Sequence, residues 1–358
     1  MFKRLDIYIM RKFLGTFFLA LGLIILVAVV FDFSERVDDF INNKAPLMVI
    51  LTDYYLNFIP FFSNLFSYLF VFISVIFFTS KMSVHNEITA ILSNGISYSR
   101  MMVPYLASAT LIALFSFVLS NYLIPYTSIK RLEFEMKYLD KAYGTPERDI
   151  HKQIGPGVFI YVETFNPRSN YGNKFSMEKF ENGELKSKMM AQNIIWDSIA
   201  NTWHIHDYWI REINGLKETI KTGAVMDSAL NLSPTEFNRN SNVVEAMTTP
   251  QLRRFAKLEL SRGHRDTYYD IEKHRRYAGP FAVFILTVIG VSLSSRKIRG
   301  GMGMHIGFGI ALSFSYILFM QISREFARAG DLPAWLAVWL PNIVYALIAI
   351  GLYRTAPK

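Results

Sequence analysis

The chain has 358 residues, of which 51% are hydrophobic and only 19% are charged. This composition is too apolar for an average soluble domain and too charged for a chain lying wholly in a membrane, so we expect both environments. The absence of cysteine excludes disulfides, zinc–thiolate sites, iron–sulfur clusters and cysteine nucleophiles. The net charge of +9 could indicate nucleic acid binding, but membrane proteins also collect Lys and Arg on one side for orientation. We therefore predict a membrane protein without a nucleic acid partner.

Six stretches lack acidic and basic residues over about the 20 residues needed to cross the hydrocarbon core of a bilayer. These stretches are 13–31, 56–79, 101–128, 277–295, 300–323 and 334–353. The first is too long for the apolar region of a cleaved signal peptide. Basic residues are concentrated at the N-terminus, in the connections after the second and fourth stretches, and in the tail. By the positive-inside rule, both termini are expected in the cytoplasm.

The long polar stretch 129–276 is then a single insertion outside the cytoplasm, which divides the spans three plus three. Its middle, about 150–235, has the alternation and turn residues of short antiparallel strands, which predicts a small sandwich or roll. The pairs Asn182-Gly183 and Asn214-Gly215 predict two-residue hairpin turns. The two flanks of the insertion are predicted to be helical.

Few groups in the chain have the pattern of a catalytic site. No Gly-Lys pair occurs, so the chain lacks the phosphate cradle of P-loop ATPases. His204 and His206 share one strand face, but without a third ligand nearby they are interpreted as surface histidines. His264, Glu272 and His274 belong to a polar group beside the fourth span, which we interpret as solvated charges rather than acid–base chemistry. The near absence of ionisable groups within the spans argues against an ion-coupled carrier.

The connection at 83–95 has the pattern of a short amphipathic helix. Ser83 is the expected N-cap, and Asn94-Gly95 is the expected stop. The apolar stripe comprises Val84, Ile88, Ile91 and Leu92. So short a helix is marginal alone, so the stripe needs either lipid headgroups or a groove on a partner protein. Glu87, beside the stripe, is either a solvated acid or the partner of an Arg on another protein.

The fifth span carries small residues at every fourth position, at Gly303, Gly307 and Ala311. Such a stripe permits close approach of another helix. Two interpretations stay open at this point: packing within the chain, and an interface with another subunit or a moving gate.

At this point the sequence resembles the paired permease subunits of lipopolysaccharide exporters, the LptF/LptG (YjgP/YjgQ) family, and it is more similar to LptG. The likeness covers essentially the whole chain. It rests on Leu5-Asp6-Ile7-Tyr8-Ile9, on Asn86-Glu87-Ile88-Thr89-Ala90-Ile91-Leu92-Ser93-Asn94-Gly95, on His274-Arg275-Arg276-Tyr277-Ala278-Gly279-Pro280-Phe281, and on Gly330-Asp331-Leu332-Pro333 with Pro341.

The resemblance implies a polytopic α-helical protein of the bacterial inner membrane, with six transmembrane helices and an inserted periplasmic β-jellyroll-like domain. The implied partners are a cytoplasmic ABC ATPase dimer (LptB-like), a second permease (LptF-like), periplasmic bridge proteins (LptC/LptA-like), lipopolysaccharide and membrane lipids. No cofactor is expected in this chain, since ATP and Mg would be bound by the ATPase. The implied domains are 1–128 with the coupling helix 83–95, then 129–276, then 277–358.

The resemblance also implies roles for individual residues. Glu87 matches the family's coupling-helix acid that contacts the ATPase, and Val84, Ile88, Ile91 and Leu92 accompany it. The first and fifth spans resemble the family's lateral gate, which places Gly303, Gly307 and Ala311 at a gate or packing surface. Phe17 and Phe31 of the first span would suit acyl chains.

One departure from the family affects lipid recognition. Where well-studied members carry basic residues near the outer end of the first span, this chain has Asp32, Asp38 and Asp39. Three explanations stay open: Arg36 and Lys44 are nearby substitutes for binding phosphate, divalent cations bridge the carboxylates, or the substrate carries fewer phosphates. A membrane-anchored periplasmic binding or assembly protein is the alternative function, although six spans and a cytoplasmic helix are more than an anchor needs.

Overall fold

The computed structural model describes residues 3–139, 147–166, 169–228, 230, 232–237, 241–262, 267–295 and 301–356. The chain folds as two compact units. The membrane unit comprises Met1–Arg131, Glu245–Thr249 and Thr267–Lys358, and the sheet unit comprises Leu132–Val244 and Pro250–Asp266. The short segment Glu245–Thr249 therefore belongs with the helices, although it lies inside the stretch predicted as the insert.

Helices account for the predicted spans. In chain order they are α1 (Arg4–Asn42), α2 (Leu47–Val84), α3 (Glu87–Ser93), α4 (Tyr98–Tyr138), α5 (Ser241–Ala246), α6 (Thr249–Ser261), α7 (Thr267–Ser294), α8 (Gly301–Ala329) and α9 (Ala334–Thr355). Among the described residues, six of these helices are long and apolar enough to cross a membrane. They are α1, α2, α4, α7, α8 and α9, which confirms the six predicted spans and their three-plus-three division.

The spans differ in how much of their surface the chain itself covers. In α7, 61% of the most apolar window is buried, whereas the figure is 17% in α1 and 22% in α8. The packing against α7 is close, since a Cβ added at Gly290 would lie 2.8 Å from the Val75 side chain. Consequently α1 and α8 present most of their apolar surface to lipid or to another protein.

The sheet unit contains six strands, namely β1 (Glu147–Gly155), β2 (Val158–Asn166), β3 (Tyr171–Glu181), β4 (Glu184–Asp197), β5 (Thr202–Asn214) and β6 (Lys217–Ser228). All pairs are antiparallel, and each strand pairs with the next one in sequence. The inserted β-rich domain is thus confirmed. The described strands are ordered as a meander joined by hairpins, without the crossover connections that define a jellyroll.

The two hairpin predictions had different outcomes. The β3–β4 turn is Asn182-Gly183, as predicted, and both residues have positive φ (54° and 81°). In the β5–β6 hairpin, Asn214 pairs with Lys217. The loop is therefore Gly215-Leu216, one position later than predicted, because Asn214 completes the ladder instead of entering the turn.

One face of the sheet carries the hydrophobic core of this unit. Its most buried members include Val162, Ile194, Trp203 and Ile205, all fully buried. The indole Nε1 of Trp203 donates to the carbonyl oxygen of Leu232 at 2.9 Å, so the polar atom of this buried ring is satisfied. The alternation predicted at Trp203 and Ile205 is confirmed.

Buried charges fix α6 on this unit. The Nζ of Lys152 in β1 lies 3.8 Å from Oε1 of Glu259 in α6, and Arg262 Nη1 lies 2.8 Å from the same oxygen. All three side chains are at most 6% exposed. Breaking such a buried set would leave an uncompensated charge, so these contacts determine where the returning helix lies on the first strand.

Candidate functional site

The connection between the second and third spans contains α3, which begins at Glu87 rather than at the predicted Ser83. Ser83 lies within the last turn of α2 and is buried there. The residue that precedes α3 is Asn86, in the left-handed conformation with φ of 59°. Asn adopts this conformation more readily than most residues. The helix ends at Ser93, and Gly95 follows with φ of 79°, as the Asn-Gly stop predicts.

The apolar stripe of this connection packs against the chain's own spans. Ile88 is 2% exposed, and the half-buried Ile91 and Leu92 lie against the same cluster. The expectation that the whole stripe needs a lipid or partner surface is therefore wrong, because neighbouring helices cover three of its four members. Val84 is the exception, since it ends α2 and is 46% exposed.

The polar side of α3 remains at the surface. Thr89, Ala90 and Ser93 are exposed, and Glu87 is half-buried. The Tyr8 hydroxyl donates to Oε2 of Glu87 at 3.2 Å. Glu87 is thus held at the accessible start of α3 by a residue of α1.

A second contact joins α1 to the start of α4. The guanidinium of Arg100 donates two hydrogen bonds to Asp6, at 2.7 and 2.6 Å. The Asp6 carboxylate is buried and also accepts the backbone N–H of Lys3 at 2.7 Å. Paired Arg–carboxylate bonds are strong and directional. Sequence reasoning missed this contact, and the only signal was the acid at the second position of Leu5-Asp6-Ile7-Tyr8-Ile9.

At the other end of α1, the acidic side chain of Asp32 is already engaged. Asp32 accepts hydrogen bonds from Arg36 at 2.9 Å and from the hydroxyls of Tyr54 at 3.1 Å and Tyr55 at 3.2 Å. The Arg36 guanidinium also lies 5.6 Å from the Tyr54 ring centroid. Arg36, expected to bind lipid phosphate, is therefore largely neutralised by Asp32, four residues earlier on the same helix.

The two phenylalanines expected to contact acyl chains differ in their exposure. Phe31 is 71% exposed and lines a pocket of about 480 Å³ with Phe58, Phe62, Asp32 and other residues. Phe17 is fully buried in the core of the membrane unit. The expectation for Phe17 is wrong in this arrangement, because the surrounding spans shield its ring.

The remaining residue expected to bind substrate is accessible, as Phe31 is. Lys44 is exposed in the turn between α1 and α2, with φ of 50°.

Among the residues that the structure describes, the small-residue stripe of α8 has no close packing partner. A Cβ added at Gly303 or Gly307 would meet no atom within 4 Å, and Ala311 is exposed. Packing occurs instead at Gly309, where a Cβ would lie 2.3 Å from Ile76 Cδ1. Of the two open interpretations of the stripe, the described residues therefore favour an interface with another subunit or a moving gate.

Near the start of the fourth span, charged residues form a buried network. Arg276 donates to Glu272 at 2.9 Å, to the carbonyl oxygen of Met247 at 2.7 Å and to the Thr249 hydroxyl at 3.1 Å. Thr249 in turn donates to Asn121 of α4 at 2.9 Å. Arg276 thus ties α7 to the segment Glu245–Thr249.

Arg275 extends the network by donating to Glu272 at 2.6 Å and to Glu245 at 3.4 Å. Burial raises the pKa of Glu245 above its usual value, against the opposing effect of Arg275. The interpretation of Glu272 as a solvated charge is wrong, because only 6% of the residue is exposed. His264, from the same predicted group, lies outside the described residues.

The strand histidine His204 contacts two carboxylates. His204 Nδ1 lies 2.6 Å from Asp227 Oδ1, and Nε2 lies 3.5 Å from Asp197 Oδ2. The hydrogen bond to Asp227 raises the pKa of His204 above 6.5. In the part of the chain that the structure describes, no three His, Cys, Asp or Glu residues are grouped to hold a metal ion.

Comparison with protein families shows that residues 7–355 match the lipopolysaccharide export system permease LptF/LptG. The chain belongs to the LptF/LptG permease family. It is accordingly a membrane-spanning transporter component of lipopolysaccharide export and not itself an enzyme, and the match does not distinguish LptG from LptF. A search of curated proteins found no match.

Proposed function

We propose that this chain is the permease subunit of an ATP-driven exporter that extracts lipopolysaccharide from the outer leaflet of the inner membrane. Both termini and α3 would lie in the cytoplasm, and the sheet unit would lie in the periplasm, where it passes the lipid to a bridge protein. The observation that carries the proposal is α3, whose polar side and Glu87 remain accessible beside a buried anchor at Ile88.

Extraction of such a lipid needs an energy source. Each methylene removed from the bilayer costs about 0.8 kcal/mol, and several acyl chains must leave together. Because this sequence has no P-loop, ATP and Mg would be bound by a separate cytoplasmic ATPase dimer that docks on α3. Glu87 would pair there with a basic residue of the ATPase.

The contacts around α3 supply a mechanical route into the membrane. Tyr8 contacts Glu87, the first residue of α3, and Asp6 contacts Arg100 in the first turn of α4, so α1 is attached to both helices. Movement of the docked ATPase would therefore move α1, which the rest of the chain covers least. A shift of α1 would open or close the path by which lipid enters.

A second permease would complete the lipid cavity. The stripe of Gly303, Gly307 and Ala311 is exposed in this chain, and small residues of this spacing favour close helix approach in membranes. The partner's helices would pack there, placing α8 beside the gate. Phe31 and its pocket at the outer end of α1 would contact acyl chains.

The test is co-purification in mild detergent from the native membrane, followed by mass spectrometry, comparing wild type with Glu87→Arg. We expect an ABC ATPase and a second six-span permease with wild type, and loss of the ATPase alone with Glu87→Arg. The matched control is Glu35→Arg, the same charge reversal at an exposed position at the other end of α1, which should retain the ATPase.

Two results would contradict this assignment. If Glu87→Arg retains the ATPase at the wild-type ratio, Glu87 is not the docking acid. If no ATPase is recovered with wild type even after crosslinking, the chain has no energy source, and the membrane-anchored binding protein becomes the better account.

A further inference from the structure

A second pocket lies in the sheet unit, on the face opposite the hydrophobic core. It has a volume of about 440 Å³ and is lined by Asp149, His151, Phe159, Ile160, Tyr161, Ser176 and Glu178. These residues belong to three adjacent strands, β1, β2 and β3. The volume is within the range of small-molecule sites.

Strand register brings the lining side chains together. Tyr161 pairs with His151 on one side and with Ser176 on the other, and Phe159 pairs with Glu178. Side chains at paired positions point to the same face of a sheet. The three strands therefore present two rows, one of His151, Tyr161 and Ser176, and one of Phe159 and Glu178.

The aromatic part of the pocket is held in place. The rings of His151 and Tyr161 lie 4.7 Å apart, centre to centre. The Tyr161 hydroxyl donates to Asp149 Oδ1 at 2.7 Å, and Asp149 has a positive φ of 55°. The Phe159 side chain lies on the same polar face of the sheet and is 42% exposed.

The polar part offers both hydrogen-bond donors and acceptors. Glu178 and Asp149 supply carboxylate oxygens, and Ser176 supplies a hydroxyl. Lys188 of β4 donates to Glu178 at 2.8 Å and stands beside it as a donor. Hydroxyl groups both donate and accept, so a ligand rich in hydroxyls matches this set.

We propose that this pocket binds a sugar ring without phosphate groups. The apolar C–H face of a sugar would lie on the rings of Tyr161 and Phe159, whose faces carry partial negative charge. Its hydroxyls, or an amino group, would bond to Asp149, Ser176 and Glu178. A phosphorylated sugar fits less well, because its charge would lie against two carboxylates.

Such a site goes beyond extraction of the lipid, since it would recognise the saccharide portion on the sheet unit. It rests on the proposed function only for the source of the sugar, which is either the head of the exported glycolipid or a free saccharide. Direct binding is measurable without any partner protein, so its failure would leave the export assignment intact.

The experiment is saturation-transfer NMR on the full chain, in a detergent without a sugar head group, with glucosamine as the probe. We expect transfer to the ring protons of glucosamine with wild type, and an affinity about two- to tenfold lower with Tyr161→Ala. Tyr161→Phe keeps the ring but loses the bond to Asp149, so it should give an intermediate affinity. The control is Ile220→Ala, exposed on β6, which should bind as wild type does.

Two results would overturn the proposal: no transfer to glucosamine at millimolar concentration with wild type, or equal binding by Tyr161→Ala and wild type. Tighter binding of glucose 6-phosphate than of glucosamine would overturn its charge argument. With binding established, displacement of glucosamine by intact lipopolysaccharide would support the glycolipid head as the source. Binding without displacement would support a free saccharide.

Discussion

Asp6 and Arg100, 94 residues apart in sequence, are joined by two hydrogen bonds that attach the first helix to the start of the third span. The Asp6 side chain is nearly inaccessible, whereas the Arg100 side chain is 39% exposed. The pair therefore combines a buried acid, which needs its partner, with a base that water can still reach.

This geometry predicts a measurable coupling energy. Arg100→Met should lower the free energy of unfolding, because it leaves a buried carboxylate with fewer donors. Asp6→Asn combined with Arg100→Met should cost less than the sum of the single changes. Denaturant unfolding in detergent gives the four values, and strict additivity would show that the two side chains do not interact.

The small residues of α8 predict opposite behaviour at neighbouring positions. Gly309→Val should destabilise the chain by about 1–3 kcal/mol, because its Cβ would be forced against Ile76. Gly307→Val meets open space and should leave unfolding of the isolated chain unchanged while lowering recovery of the second permease. Thermal unfolding and co-purification measure the two effects. A strongly destabilised Gly307→Val chain would mean that the stripe packs within the protein after all.

The network around Arg276 predicts a large loss of stability on removal of one charge. Arg276→Met should cost about 2–4 kcal/mol, since Glu272 keeps only Arg275 and the Met247 carbonyl loses its donor. Lys273→Met is the matched control, an exposed base on the same helix, with an expected change within about 0.5 kcal/mol. Equal unfolding curves for the two variants would exclude a structural role for the network.

The His204 contacts predict a pH dependence with a definite sign. The pKa of folded His204 lies above 6.5, chiefly because of the hydrogen bond to Asp227. Its contribution to stability is therefore complete below pH 6.5 and is lost as pH rises through the folded-state pKa.

NMR titration of labelled histidine measures the pKa of folded His204. The His204 midpoint should lie above 6.5 and fall in Asp227→Asn. Glu212→Gln, on the same strand but with its carboxylate paired to Lys221 at 3.0 Å, should leave the midpoint in place. A midpoint insensitive to Asp227→Asn would contradict the assigned cause.

Much of this molecule follows from local sequence. The six spans were predictable because an apolar run about 20 residues long has no stable location but a bilayer or a large core. The strands around Trp203 and the Asn182-Gly183 turn were predictable because they too depend on local sequence. Alternation of side chains and the need for positive φ are properties of a few adjacent residues.

Partnerships between distant residues were decided only by the tertiary structure. The periodicity of Ile88, Ile91 and Leu92 correctly indicated a buried helix face, but it does not specify whether that face lies on the same chain or on another protein. Likewise, the stripe at Gly303 and Gly307 is compatible with either kind of packing.

The polar contacts also divide into a part that the sequence predicts and a part that only the fold decides. The sequence by itself determined that Asp6, Glu87 and Glu272 lie at the ends of spans, where charges avoid the hydrocarbon. Only the folded chain determined that Asp6 contacts Arg100, that Glu87 contacts Tyr8 and that Glu272 is buried between two arginines. Hydrophobic periodicity acts over one or two helical turns, whereas a hydrogen bond depends on which helices become neighbours, and that is a property of the whole fold.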